Sequence, residues 1–183
     1  MLYHEVEGQI QDGDFLFFRG TVFYSRVIQR WTKSRYSHVA VAVRIRESLF
    51  VLEAVEGRGV RLFPLSMYLR SGCKIDWFKI IDPRVDREKV TQWFLDRVGN
   101  NYASPRQLIR SFLTLPFANA LDWSTKIDNN RWFCSFAGVE ALRHGYGELA
   151  DKIIPNEAEL ASPGDVSYIE ALHIQGTLKW KEE

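Results

Sequence analysis

Between residues 15 and 81 the apolar residues mostly form short runs separated by turn chemistry. Phe15–Phe18 (FLFF) is wholly apolar and follows the turn pair Gly13-Asp14, which predicts a short central strand. Thr21 precedes Val22, Phe23, Val27 and Trp31 at roughly helical spacing, predicting a capped helix to about Trp31. Ser37–Ile45 (SHVAVAVRI), alternating Val with Ala, is the clearest strand. Leu49–Val55 is a second strand, joined to the first as a hairpin by the charged turn RIRES. Val60–Phe63 reads as a third, entered through Gly57 and Gly59. Pro64 opens a short helix to about Arg70, and Ile75–Ile81 returns as a strand.

Beyond Pro83 the pattern turns helical. Asp86 precedes Val90, Trp93, Phe94 and Val98, and Gly99-Asn100-Asn101 supplies residues that accept positive φ at a helix end. Ser104-Pro105 has the form of an N-cap and N1 pair opening a helix from Gln107 to about Leu115. Residues 116–131 are irregular. Trp132-Phe133 then leads into Cys134, and Ser135–Arg143 (SFAGVEALR) reads as a helix stopped at Gly145. The tail from Ser162 to Trp180 has room for a final helix and strand. The expected fold is α+β, a hairpin-based antiparallel sheet with segregated helices. Without an internal repeat, low-complexity tract or Pro/Gly/Ser linker, residues 1–183 are expected to form a single domain.

Composition narrows the function classes. The chain has 183 residues, with 24 basic and 23 acidic side chains, so its net charge of +1 gives no electrostatic footprint for nucleic acid. Aromatics reach 14%, enough with the aliphatics to build a core without disulfides or a structural metal. Two cysteines, Cys73 and Cys134, are too few for a disulfide scaffold or a four-cysteine zinc site. The first residues lack the features of a signal peptide, and no stretch approaches the roughly 18 uncharged residues of a membrane span. The protein is therefore expected to be cytoplasmic as encoded, with delivery to the cell wall by another route open to it.

Cys134 ends an aromatic run and begins a predicted helix, where free N–H groups and the macrodipole favour the nucleophilic thiolate. Cys73 has no helix start behind it and is expected to be structural. Among the four histidines, His4 lies in a terminus expected to fray, His144 at a helix end and His173 in the tail. His38 opens the best strand, followed at hairpin distance by Glu53 inside an otherwise apolar strand. A carboxylate there must face solvent or a partner, because burying it unpaired is costly. With an even-length turn, an odd separation places both residues on one face of the sheet. A turn centred between Ile45 and Arg46 would set them directly opposite. A cysteine at a helix start, a histidine on one strand and an acid on the next are the parts of a nucleophile–base–orienter set.

These residues also carry a resemblance. Gly13-Asp14-Phe15-Leu16-Phe17, then Tyr36-Ser37-His38-Val39-Ala40-Val41, then Leu52-Glu53-Ala54, and finally Phe133-Cys134-Ser135 resemble, in that order, the permuted NlpC/P60 group of papain-like cysteine hydrolases, in its YiiX-like branch. Ser162-Pro163-Gly164-Asp165 resembles a C-terminal feature of the same proteins. The resemblance implies a permuted papain-like fold and an amidase or peptidase, with Cys134 as nucleophile, His38 as base and Glu53 as polar third member. It implies a peptidoglycan-type peptide or small amide as substrate. No cofactor is expected, and a metal is the least attractive reading: Cys134 and His38 with one acid could bind zinc, but no local C-x-x-C or H-x-x-x-H ligand pair exists. Tyr36 and Asp14 are candidate substrate contacts, and the basic run Arg26, Arg30, Lys33 and Arg35 is either a solvated helix face or an attractor of acidic substrates. A lipid or thioester acyl hydrolase or acyltransferase of the lecithin:retinol acyltransferase-like type is the alternative. Its peripheral lipid contact would fall on the apolar stretch 112–123, but Ser135 stands where that branch carries an acidic residue. A non-catalytic interaction module on the same fold is the third reading.

Overall fold

The computed structural model describes residues 1–19, 34–55, 58–100, 134–154 and 161–181. Its centre is one six-stranded sheet of β1 (Phe15–Arg19), β2 (His38–Ile45), β3 (Ser48–Val55), β4 (Gly59–Pro64), β5 (Lys74–Ile80) and β6 (Leu172–Leu178). The spatial order is β4-β3-β2-β1-β5-β6 with every neighbouring pair antiparallel. The fold is α+β, as the pattern predicts, and β1 lies inside the sheet between β2 and β5. The expected helices at Thr21–Trp31 and Gln107–Leu115 and the irregular stretch 116–131 lie outside the described residues. So do Arg26, Arg30 and Lys33 of the basic run.

Both faces of the sheet are covered, which is why its central strands carry apolar residues on both sides. Phe15, Phe17, Val39, Val41 and Val43 point to one side. There they pack with helices α3 (Arg87–Leu95) and α4 (Cys134–Tyr146). Leu16, Phe18, Ala40, Ala42 and Val51 point to the other, beneath α1 (Tyr3–Val6) and α2 (Leu65–Arg70). The first residues do not fray: the Tyr3 N–H donates to the Lys179 carbonyl at 2.9 Å and the Tyr3 ring stacks on Trp180.

Several boundaries shift for identifiable reasons. The β2–β3 turn consists of Arg46 and Glu47, with Arg46 at φ 55°, and pairs Ile45 with Ser48. Asp86 caps α3 by accepting from the N–H groups of Glu88 and Lys89, but the helix ends at Leu95 rather than running through Val98. The chain tightens there so that the Gly99 N–H reaches the Val60 carbonyl and the Val60 N–H reaches Asn100, each at 2.8 Å. Gly145 does not stop α4; it lies inside it. A Cβ there would stand 2.6 Å from Val90 Cγ2 and 2.9 Å from Val85 Cγ1, so this glycine lets α4 close on α3. The helix ends at Tyr146, before Gly147 at φ 59°. The predicted tail elements are present as a helix at Pro163–Ser167, with a Ser162–Asp165 capping box, and as β6.

Candidate active site

The site forms where the sheet splits. The β2–β3 ladder runs from Ile45↔Ser48 to Val41↔Leu52 and ends there. Beyond it, β2 stays with β1 through Phe18↔His38, while β3 stays with β4 through Val55↔Gly59. The two strands are held by different neighbours and diverge. Val39 lies beyond the last β2–β3 pair, and its N–H is among the groups that lower the Cys134 thiol pKa.

Cys134 reaches this gap because of how α4 lies on the sheet. Gly138, one turn after Cys134 on the same helix face, lies over the sheet, where a Cβ would be in van der Waals contact with Phe15 and Val39 at 3.4 and 3.5 Å. The first residue of the helix is thereby directed at the start of β2. Cys134 is buried, 8% exposed, and its sulfur lies close enough to the His38 imidazole for the two groups to shift each other's protonation.

On the other side of the imidazole, His38 Nε2 lies 2.8 Å from Oε2 of Glu53. Glu53 is fully buried. The expectation that the pair shares one sheet face holds, but the residues are not directly opposite. The observed register, carried past the end of the ladder, would set Ala40 against Glu53, so His38 is offset by two positions along β2. That diagonal remains within reach of long side chains. The Phe18 ring supports the imidazole edge-on, with centroids 5.2 Å apart.

The second carboxylate oxygen of Glu53 is also occupied. Arg61, its cross-strand partner on β4, donates to Oε1 from Nε at 3.0 Å, with Nη2 2.9 Å away. Tyr68 of α2 donates its hydroxyl to the same oxygen at 2.6 Å and accepts from Arg61 Nη2 at 2.8 Å. Sequence reasoning missed both residues. Arg61 had a signal, since a hairpin that pairs Val55 with Gly59 sets it opposite Glu53. Tyr68 had none, because its role depends on how α2 sits over the sheet.

The protonation equilibria follow from these contacts. Burial opposes a charge on Cys134, yet the His38 cation and the N–H groups of Val39 and Ser135 outweigh it and lower the thiol pKa. Burial likewise opposes charging His38, but the adjacent thiolate and Glu53 raise its pKa. For Glu53, burial is outweighed by His38, Tyr68 and Arg61, and the carboxyl pKa falls. All three shifts favour the same charged arrangement, a thiolate–imidazolium pair backed by a carboxylate.

The remaining candidates lie elsewhere. Asp14 is fully buried and accepts from Gln11 N at 3.0 Å, Trp77 Nε1 at 2.8 Å and Arg87 Nη1 at 2.6 Å. Its carbonyl bonds Ala42, four residues along β2 from His38 and hence about 13 Å away at strand rise. It ties the start of β1 to β5 and α3 and is no part of the site. Tyr36 precedes His38 closely but is buried against Phe17 and Phe78. Its hydroxyl is committed, donating to Asp76 Oδ2 at 2.8 Å and accepting from Arg35 Nη2 at 2.7 Å. Burial and the Asp76 carboxylate push its pKa up to about 12. Cys73 is half-buried, its sulfur 3.4 Å from Ser71 Oγ.

No protein-family model matches the chain, and no curated protein matches it by sequence. Among solved structures it is similar to the metalloprotein YiiX of Escherichia coli O157:H7, DUF1105, with a TM-score of 0.64 and 20% sequence identity over 94% of this chain and 99% of that one. The likeness is one of fold. Among the described residues no helix is long and apolar enough to cross a membrane.

Proposed function

We propose that this protein is a cysteine hydrolase of the permuted NlpC/P60, papain-like type that cleaves an amide bond, with a peptidoglycan-type peptide or small amide as substrate. The observation that carries the reading is the meeting of Cys134, the first residue of α4, with a His38 imidazole that is itself held 2.8 Å from Glu53 Oε2. Its order along the sequence, base and acid before nucleophile, is that of the permuted group.

The Cys134 thiolate adds to the substrate carbonyl carbon, and the π electrons move to oxygen. The Cys134 backbone N–H, at the start of α4, holds that oxyanion in this reading. The His38 imidazolium delivers its proton to the amide nitrogen as the C–N bond breaks, leaving an acyl thioester and a free amine. A water then attacks the thioester carbonyl while His38 takes its proton. Loss of sulfur from the second tetrahedral intermediate releases the acid and restores the resting pair. Glu53 keeps the imidazole oriented and offsets its positive charge at each step.

YiiX is described as a metalloprotein, but the donors here do not fit a metal ion. Glu53 Oε1 faces the Arg61 cation, Oε2 is spent on His38 Nε2, and no group of three or more His, Cys, Asp and Glu side chains is disposed as ligands among the described residues. The mechanism accordingly has no metal-dependent step.

The test is to incubate the purified chain with muropeptides and small acyl amides, and in parallel with lipid esters and thioesters, and to weigh the intact protein. An acyl adduct on Cys134 with amine release from the amides is the expected result. Adducts from the lipid substrates alone would replace the amidase reading with the acyltransferase one. No adduct from any substrate would end both.

A further inference from the structure

Arg61 and Tyr68 do more than fill the space under Glu53. We propose that they form a positioning clamp whose charge and hydrogen-bond polarity set the thiolate–imidazolium pair of the active site. The proposal rests on the hydrolase reading of Cys134 and His38 and deepens it.

The argument begins with proton bookkeeping. A guanidinium has donors and no acceptor. Arg61 Nη2, 2.8 Å from Tyr68 Oη, must therefore donate to it, and the Tyr68 proton must point elsewhere. Its partner is Glu53 Oε1 at 2.6 Å. That oxygen accepts from Tyr68 and Arg61 together, which leaves no place on it for a proton and favours the ionised carboxylate. Oε2 is then an acceptor as well, so His38 Nε2 carries a hydrogen. The nitrogen left to face the Cys134 sulfur is Nδ1. In the neutral ring this is the one with a lone pair, the tautomer a general base needs. The donor-only residue at one end thus dictates the proton positions through four side chains to the sulfur.

Charge makes the same point. Arg61, Glu53, His38 and Cys134 in their ionised forms alternate in sign and sum to zero, an arrangement that tolerates a desolvated site. Among the described residues, the titratable groups facing this chain are His38 from β2, Glu53 from β3, Arg61 from β4, Tyr68 from α2 and Cys134 from α4. Without Arg61 the buried set carries one net negative charge. Protonating the sulfur removes that charge at least cost, because the Glu53–His38 ion pair survives.

The experiment compares the wild-type chain with Arg61→Met, Arg61→Lys and Tyr68→Phe, reading the pH midpoint of Cys134 alkylation by iodoacetamide. Mass spectrometry of the labelled peptides uses the Cys73 peptide as reference, and thermal melting is followed alongside. Arg61→Met should raise the midpoint by about one pH unit, or about tenfold less labelling at a given acidic pH. Arg61→Lys should recover most of that shift, and Tyr68→Phe should give a smaller rise. A purely structural role would lower the melting temperature and leave the midpoint in place, and that result would overturn the proposal. So would an Arg61→Lys shift as large as that of Arg61→Met. If Arg61→Met does not fold, Tyr68→Phe decides alone. A wild-type midpoint at the ordinary thiol value would bring down the hydrolase reading and the clamp with it, whereas a low wild-type midpoint with unmoved variants would sink the clamp only.

Discussion

His38 Nε2 and Glu53 Oε2 stand 2.8 Å apart although the two residues are not ladder partners. The offset has a consequence for chemistry. A directly opposed pair would lie inside a closed ladder, with backbone hydrogen bonds between the strands. Here the strands have parted, and the imidazole can meet Glu53 on the side of α2 and Cys134 on the side of α4. The split between β2 and β3 is what turns a cross-strand ion pair into a candidate catalytic set.

Cys134→Ala is expected to abolish hydrolysis while leaving the fold intact, and Cys73→Ala to retain near wild-type turnover. The change at Cys134 removes a single buried sulfur atom, so it should cost on the order of 1 kcal/mol. Turnover assays with circular dichroism on both variants check this. Equal loss of activity in the two would refute the assignment of Cys134.

Glu53→Gln should slow turnover by roughly 100-fold, and His38→Ala by roughly 1,000-fold or more, within the range of general acid–base contributions. A glutamine can keep its carbonyl on His38 only by turning its NH2 toward Arg61 and Tyr68, where both oxygen-bound donors now meet a third. The tautomer survives, the charge does not. Steady-state kinetics on the purified variants decide the order, and a glutamine variant as slow as His38→Ala would assign the carboxylate a more direct part.

The pH–rate profile for an amide should be bell-shaped. Cys134 has a lowered pKa, so its thiolate is lost as pH falls through that value. His38 has a raised one, so the proton needed by the leaving amine is lost as pH rises through it. Alkylation of Cys134 should persist near pH 6, below the roughly 8.5 of a free thiol, and His38→Ala should move its midpoint upward. An activated ester, whose leaving group needs no proton, should lose the alkaline limb only. An alkylation midpoint above 8 in the wild-type chain would mark Cys134 as an inert buried thiol.

Asp14→Asn should destabilise the protein by about 2 kcal/mol without moving the Cys134 alkylation midpoint. The buried carboxylate pairs with a quarter-exposed Arg87, so the cost is below that of breaking a fully buried ion pair. Urea unfolding measures the first quantity and peptide labelling the second. A shifted midpoint at unchanged stability would return Asp14 to the site.

The sequence by itself determined the strands β1 to β5, the helix beginning at Cys134 and the order base, acid, nucleophile. It also determined that His38 and Glu53 share a face. These are matters of local periodicity and hairpin parity, which a chain carries in the spacing of its apolar residues. Only the tertiary structure decided which polar residues act together. Asp14 and Glu53 are both lone carboxylates beside apolar runs, and nothing local separates the one held by Trp77 and Arg87 from the one held by His38 and Arg61. Gly145 reads as a helix stop until Val85 and Val90 of the neighbouring segment are seen to need its missing Cβ. The meeting of Cys134 with His38 depends on β2 following β1 while β3 follows β4. That divergence is a property of four paired strands at once, and no window along the chain contains them all.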